Sequence, residues 1–165
     1  MRRPTALAAI RLLVLDVDGV LTDGTLRYSA NGEVEKTFHV RDGHGIKSLA
    51  RAGVKVAVIS GRDSQAVARR CADLGISELQ QGVEDKAAAF AALIARLKLA
   101  AHECAAMGDD TADVPLLQQV GLAIAVADAH ADARRVAHRR TRLPGGRGAV
   151  REICDALLAA RARRA

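Results

Sequence analysis

Residues 12–24 read Leu-Leu-Val-Leu-Asp-Val-Asp-Gly-Val-Leu-Thr-Asp-Gly, and the fold is decided there. The apolar run Leu12 to Leu15 stops at Asp16, and Asp18 and Gly19 follow. A short run this apolar predicts a strand buried on both faces, as at the centre of a parallel sheet. Open α/β sheets place ligands just beyond the carboxyl ends of such strands. Asp16 and Asp18 therefore fall where a fold of this kind does chemistry, and the glycines let the backbone turn sharply. Two solvated loop aspartates are the alternative that later residues must displace.

Working outward, residues 1–10 form a part-helical leader beside that strand. Residues 25–40 hold Asn31-Gly32 between two β-prone arms, which predicts an antiparallel hairpin, because both turn residues accept positive φ. Arg41-Asp42-Gly43-His44-Gly45 reads as a polar glycine-rich loop before a helix over 46–52. Strands are expected at 54–59, 76–80, 104–107 and 122–126. Helices are expected from Asp63 or Ser64 to Leu74, from a cap at Asp85 to about Leu99, over 114–120 and over 149–160. Residues 128–147 read as irregular or weakly helical. Alternation of strand and helix throughout predicts a three-layer α/β/α, Rossmann-like parallel sheet. No linker divides the chain, so residues 1–165 read as one domain, with the hairpin the only insertion able to serve as a cap and residues 143–165 as a C-terminal tail.

Composition narrows the functional classes. The chain has 165 residues and is half hydrophobic, but only 2% aromatic, which leaves no stacking platforms for nucleic acid. The net charge of +6 is local: residues 131–165 contribute ten arginines and three acids, a balance of +7, and the first 130 residues sum to −1. That region reads either as a surface for an acidic partner or small anion or as solvated helix surface, the second reading suiting Arg161, Arg163 and Arg164. Cys71, Cys104 and Cys154 are odd in number and widely spaced, which indicates reduced thiols in a cytoplasmic protein. The start, Met1-Arg2-Arg3, mimics a signal peptide, but Arg11 interrupts the apolar run and cleavage would destroy the Asp16 strand. No stretch of 18 apolar residues predicts a membrane span.

A set of polar groups recurs at strand ends and helix starts: Asp16 and Asp18, then Ser60, Lys86 and Asp109. Together they are a complete set for phosphoryl transfer. A phosphate monoester repels a carboxylate nucleophile until a hard cation such as Mg²⁺ screens it. Asp16 and Asp109 can each give that cation an oxygen, and the backbone carbonyl of Asp18 a third. Asp16 can attack phosphorus to form an aspartyl-phosphate. Asp18 can protonate the leaving alkoxide and then activate water. Ser60 and Lys86 can hold phosphoryl oxygens. Each has a plainer reading: Ser60 a turn hydroxyl, Lys86 a solvated first-turn lysine set against the helix dipole. Asp113 reads either as the cap of the helix at 114 or as a partner for Lys86 or a metal-bound water, and Asp110 as solvated or structural.

These segments (Asp16-Val17-Asp18-Gly19-Val20, Ile59-Ser60-Gly61-Arg62, Lys86, Gly108-Asp109-Asp110) resemble the four ordered motifs of the haloacid dehalogenase-like phosphohydrolases. Residues 38–46, Gln81-Gly82, residues 125–130 and residues 145–152 are further similar to the 3-deoxy-D-manno-octulosonate 8-phosphate phosphatase family. The resemblance covers residues 10–158. It implies a Mg²⁺-dependent phosphatase acting on an eight-carbon sugar acid in lipopolysaccharide synthesis. It also implies a homotetramer in which hairpins line the sites and a tail reaches a neighbour. Asp16 would be nucleophile and metal ligand, Asp18 acid/base and ligand, and Asp109 a ligand. The family's substrate contacts fall on Asp18, His39, Val40, Arg41, Asp42, Gly43, Lys47, Arg62, Arg70 and Lys86. Arg70 and Lys47 also read as surface residues and His39 as a hairpin residue. His39 stands for the family's usual Asn, His44 for a Tyr, and Thr111-Ala112 for bulkier aliphatics, which bears on substrate preference. Residues 145–151 are expected to form a mobile tail over the phosphate or sugar.

Three rivals stay open at this stage. A phosphatase for a related nonulosonate 9-phosphate would use the same motifs. A phosphoacceptor receiver also combines acids, a hydroxyl and a lysine, but takes its phosphate on a later strand. A non-catalytic basic binding module would not need the full set of Asp16, Asp18, Ser60, Lys86 and Asp109.

Overall fold

A computed structural model describes residues 5–163, with the side chains of residues 33 and 34 excepted. Six strands form one sheet: β1 (Leu12–Leu15), β4 (Lys55–Ile59), β5 (Glu78–Gln80), β6 (Cys104–Gly108), β7 (Leu122–Ala125) and β8 (Arg139–Arg140). Their order is β5-β4-β1-β6-β7-β8, and every neighbouring pair is parallel. The helices are α1 (Val40–Arg51), α2 (Gln65–Leu74), α3 (Lys86–Leu97), α4 (Val114–Leu117), α5 (Ala131–Val136) and α6 (Ala149–Ala162). The expected α/β class therefore holds.

The central strand is β1, and all four of its residues are buried because helices cover both faces. The chain runs outward from β1 to β4 and β5, then returns to β6 on the other side of β1. That reversal is the topological switch point at which such sheets open a crevice. It brings together the carboxyl ends of β1, β4 and β6, which lead into Asp16, Ser60 and Asp109.

The hairpin pairs β2 (Arg27–Ser29) with β3 (Gly32–Glu35), antiparallel, with a register shift at Arg27 and Tyr28. Its turn differs from expectation in detail. Ala30 and Asn31 sit at the tip, and Gly32, at φ +108°, takes the positive dihedral that the sequence reading shared between Asn31 and Gly32. The 3₁₀ turn Leu7–Ala9 agrees with a part-helical leader, of which residues 1–4 lie outside the described residues, as does Arg164.

Three expectations are corrected, one of them only in part. Residues 41–45 are not a loop: α1 starts at Val40 and carries Gly43 and Gly45 inside the helix. The reason is packing, because a Cβ on Gly45 would lie 2.9 Å from Cδ of Arg151 and 3.0 Å from Cβ of Cys154 on α6. Residues 128–147 are weakly helical as expected, through the short α5, but they also hold the edge strand β8, which is built of exposed arginines and so lacks an apolar pattern. Residues 145–151 are not a mobile tail. The Gly146 amide donates to the Val20 carbonyl at 2.9 Å, the Gly145 amide to Oδ1 of Asp128 at 3.0 Å, and α6 buries Ala149, Val150, Ile153, Cys154 and Leu157.

All three cysteines are buried free thiols, pushed by burial up to about 11 (Cys71) and about 12 (Cys104 and Cys154). Among the described residues no helix is long and apolar enough to cross a membrane.

Candidate active site

Asp16 leaves the end of β1 with its backbone amide bonded to the Met107 carbonyl of β6 at 3.2 Å, so its carboxylate is delivered to the crevice by the sheet itself. The turn that follows closes through the Val17 carbonyl, which accepts the amides of Val20, Leu21 and Thr22. Gly19 sits in that turn at φ +86°, where a Cβ would come within 2.1 Å of Oδ2 of Asp109. Only a glycine there lets the carboxylate from β6 close on the one from β1.

Asp16, Asp109 and Asp113 each offer a carboxylate oxygen within 4.8 Å of the others. Lys86, the first residue of α3, enters this cluster from the opposite side. Its Nζ lies 2.7 Å from Oδ1 of Asp16 and 2.6 Å from Oδ1 of Asp113, with all three residues buried. Oδ2 of Asp113 accepts the amides of Asp109 at 2.9 Å and Asp110 at 3.2 Å, which fixes the loop after β6. Of the two readings left open for Asp113, the structure selects the one in which it meets Lys86, because its side chain makes no capping bond to α4. Asp110 bonds the Thr111 amide at 2.6 Å, a structural role. Lysine at a helix start, unfavourable alone, is explained by these two carboxylates.

The electrostatics follow from three carboxylates sharing one ammonium. Burial, then the charges of Asp16 and Asp113, pushes Asp109 from an ordinary 3.8 up to about 8. Burial and the Asp113 charge raise Asp16 to about 6, against the pull of Lys86. Burial works against the Lys86 charge, but Asp16 and Asp113 outweigh it, and its pKa is raised. An excess of buried hard oxygen donors, strained by their own repulsion, suits a small divalent cation.

Ser60 is buried at the end of β4, and its Oγ accepts the Arg62 amide at 3.3 Å. It is thus a turn hydroxyl and also a wall of the same cleft of about 360 Å³, which Asp16, Asp18, Lys86 and Asp109 line as well. The Asp18 carboxylate does not join the cluster of three. It turns to Lys36, 2.5 Å away, and to Arg62, at 3.8 Å. Sequence reasoning missed Lys36 altogether; a lysine in a charged hairpin carries no local signal of burial, yet its side chain is 1% exposed.

The other residues expected to touch substrate do not line this cleft. His39 lines a second cavity of about 340 Å³ with Asp23, Phe38 and Arg147, and its Nδ1 is buried with no hydrogen-bond partner among the described residues. Arg70 lies over the Phe38 ring at 5.7 Å and against Gly43. Arg41 faces a third cavity with Arg142 and Arg151, while Val40 and Lys47 are exposed. Asp42 is buried under the start of α6, where it accepts the amides of Gly148 at 3.3 Å and Arg151 at 2.7 Å.

Residues 78–148 match the family model of haloacid dehalogenase-like hydrolases. The chain is 50% identical to the 3-deoxy-D-manno-octulosonate 8-phosphate phosphatase KdsC of Escherichia coli K12 over 151 residues, 92% of this chain and 80% of that protein. The corresponding protein of Yersinia pestis is 48% identical over 93% of this chain and 82% of its own length. Among solved structures, the phosphatase of Moraxella catarrhalis with magnesium, phosphate and KDO superposes at a TM-score of 0.92 with 38% identity, covering 96% of this chain and 91% of that one. The cobalt-bound enzyme of Haemophilus influenzae gives 0.93 with 44% identity, covering 95% and 92%. With the catalytic motifs assembled at the switch point and identity of this extent, the chain belongs to the 3-deoxy-D-manno-octulosonate 8-phosphate phosphatase family of the haloacid dehalogenase-like hydrolases.

Proposed function

We propose that this protein hydrolyses 3-deoxy-D-manno-octulosonate 8-phosphate to the free sugar acid and inorganic phosphate, with Mg²⁺ as cofactor, for lipopolysaccharide synthesis in the cytoplasm. The observation that carries the reading is the gathering of Asp16, Ser60, Lys86 and Asp109 around one cleft at the switch point. Family membership narrows the substrate class.

Asp16 is the nucleophile: its carboxylate forms a bond to phosphorus as the bond to the sugar oxygen breaks, giving an aspartyl-phosphate. Asp18 hands its proton to the departing alkoxide, then takes one from the water that cleaves the aspartyl-phosphate. Ser60 donates to a phosphoryl oxygen. Lys86 keeps Asp16 aimed and adds positive charge beside the phosphoryl group. Asp16 and Asp109, with the Asp18 backbone carbonyl, would hold Mg²⁺, and Asp113 fixes the Asp109 backbone. The cation, when bound, screens the phosphate dianion from the attacking carboxylate.

The scatter of Arg41, Lys47 and His39 outside the cleft favours a site completed by a neighbouring copy, and we assign the protein to a homotetramer. Light scattering gives the assembly size. Mixing Asp16→Asn chains with Lys47→Ala chains should restore activity if the residues act across subunits.

The deciding experiment is phosphate release from octulosonate 8-phosphate, a nonulosonate 9-phosphate and simple sugar phosphates, with and without Mg²⁺. Turnover of the first, dependent on Mg²⁺ and abolished by Asp16→Asn in a folded chain, is the expected result. Preference for the nine-carbon acid would reassign the substrate. Residual Asp16→Asn turnover near wild type would remove Asp16 as nucleophile.

A further inference from the structure

Among the described residues, the hairpin meets the site through Tyr28 and through Lys36. From β2, the Tyr28 hydroxyl accepts Nη2 of Arg62 at 2.6 Å. Just past β3, Lys36 drives its ammonium onto Oδ1 of Asp18 at 2.5 Å, and Arg62 Nε stands 3.8 Å from Oδ2 of the same carboxylate. The two ends of the second contact differ in exposure. The Lys36 side chain is 1% exposed and that of Asp18 is 23% exposed. A lysine is buried this far only where its charge is matched, since desolvating an ammonium is costly. A hairpin needing only a surface tether would not need to bury one.

Family membership accounts for Asp16, Asp18, Lys86 and Asp109, and the mechanism above uses them, but it leaves open what aims Asp18. The cluster of Asp16, Asp109 and Asp113 does not, because the Asp18 carboxylate lies outside it. With Oδ1 gripped by Lys36, the more loosely held Oδ2 is the oxygen left for proton exchange.

We propose that Lys36 is the positioning residue for Asp18, fixing the carboxylate so that Oδ2 delivers a proton to the leaving alkoxide and later receives one from water. The hairpin thereby acts on the chemistry as well as on substrate selection. This rests on the reading of Asp18 as acid and base. The step itself is unchanged: the Asp16 oxygen bonds to phosphorus, the phosphorus–alkoxide bond breaks, and the Asp18 proton passes to the alkoxide.

The test exploits the leaving group. Through kcat/KM, which extends only as far as departure of that group, an alkyl phosphate needs the proton and 4-nitrophenyl phosphate does not. Three substrates are compared on wild type, Lys36→Met and Lys36→Arg: octulosonate 8-phosphate, a primary alkyl phosphate without a carboxylate, and 4-nitrophenyl phosphate. Lys36→Met should lower kcat/KM about 10- to 100-fold on both alkyl substrates and less than about threefold on the aryl one, with Lys36→Arg recovering most of the loss. The alkyl-to-aryl ratio on one sample does not depend on the folded fraction. Equal losses on all three substrates, loss on the carboxylate-bearing one alone, or no loss would each overturn the proposal. Wild-type enzyme that cleaves the aryl ester and no sugar acid would instead overturn the function proposed above.

Discussion

The carboxylate of Asp42, near the start of α1, accepts the backbone amide of Arg151 at 2.7 Å, although the two residues are 109 positions apart. It also accepts the Gly148 amide at 3.3 Å. Gly148 is the N-cap of α6 and has no side chain to satisfy that helix's first-turn amides, so Asp42 supplies the cap from another helix. This contact steadies the segment that rests on the catalytic turn through Gly146 and Val20. Asp42→Ala should lower stability by about 1–2 kcal/mol, measured by urea unfolding, with Asp42→Asn intermediate. An Asp42→Ala chain of unchanged stability would contradict the cap.

Gly145 presses on the catalytic turn from the same segment. A Cβ there would lie 1.7 Å from the Gly19 carbonyl oxygen, a backbone atom held by its own turn. Gly145→Ala must therefore push residues 145–146 and the turn apart. A loss of about 100-fold in kcat is expected if the turn moves by about an ångström, with a destabilisation of about 1–3 kcal/mol. Near wild-type kcat in a folded Gly145→Ala protein would show that the turn does not depend on this seat.

Lys86 and Asp113 are a buried pair in which each removal leaves a charge behind. Lys86→Met alone should destabilise the metal-free chain by about 3–5 kcal/mol, since the buried carboxylates of Asp16 and Asp113 then lose their cation. Lys86→Met with Asp113→Asn should cost less than the sum of the single changes. A double-mutant cycle by denaturant unfolding measures that coupling, and strict additivity would deny it.

The raised carboxyls give a pH dependence of definite sign. Asp16 at about 6 and Asp109 at about 8 both lie above the ordinary 3.8, so the folded chain holds protons that the unfolded chain has released. Their contribution to stability is fully present below 3.8 and is lost as pH rises through about 6 and about 8. The chelated protein should therefore melt lower at pH 8.5 than at pH 6, by about a few degrees, and Asp109→Asn should flatten the difference. Mg²⁺ should bind more tightly as pH rises over the same interval and release protons on binding. Titration calorimetry in two buffers of different ionisation enthalpy measures that release, and zero release would place the metal away from Asp109.

Much of this was legible in one dimension. The buried run Leu12 to Leu15 announced the central strand, and the alternation of elements announced the parallel sheet. Asp85 was readable as a cap and does accept the Ala88 amide at 2.9 Å. What misled was local chemistry overruled by packing. Gly43 and Gly45 read as loop residues, but they are where α1 must be thin to approach Arg70 and α6. Residues 128–147 read as irregular or weakly helical, but the exposed Arg139 and Arg140 form an edge strand, where ladder pairing needs no apolar side chain.

The sequence by itself determined which chemical groups this protein can bring to bear, because strand ends and helix starts are local events set by hydrophobic runs and their interruption. Only the tertiary structure decided how those groups divide the work. Asp16, Asp109 and Asp113 share Lys86, Asp18 is handed to Lys36 and Arg62, and Asp42 is spent on α6. Charge partners are chosen by distance in space. A contact such as Lys86 to Asp16 spans 70 residues, and no local pattern records it.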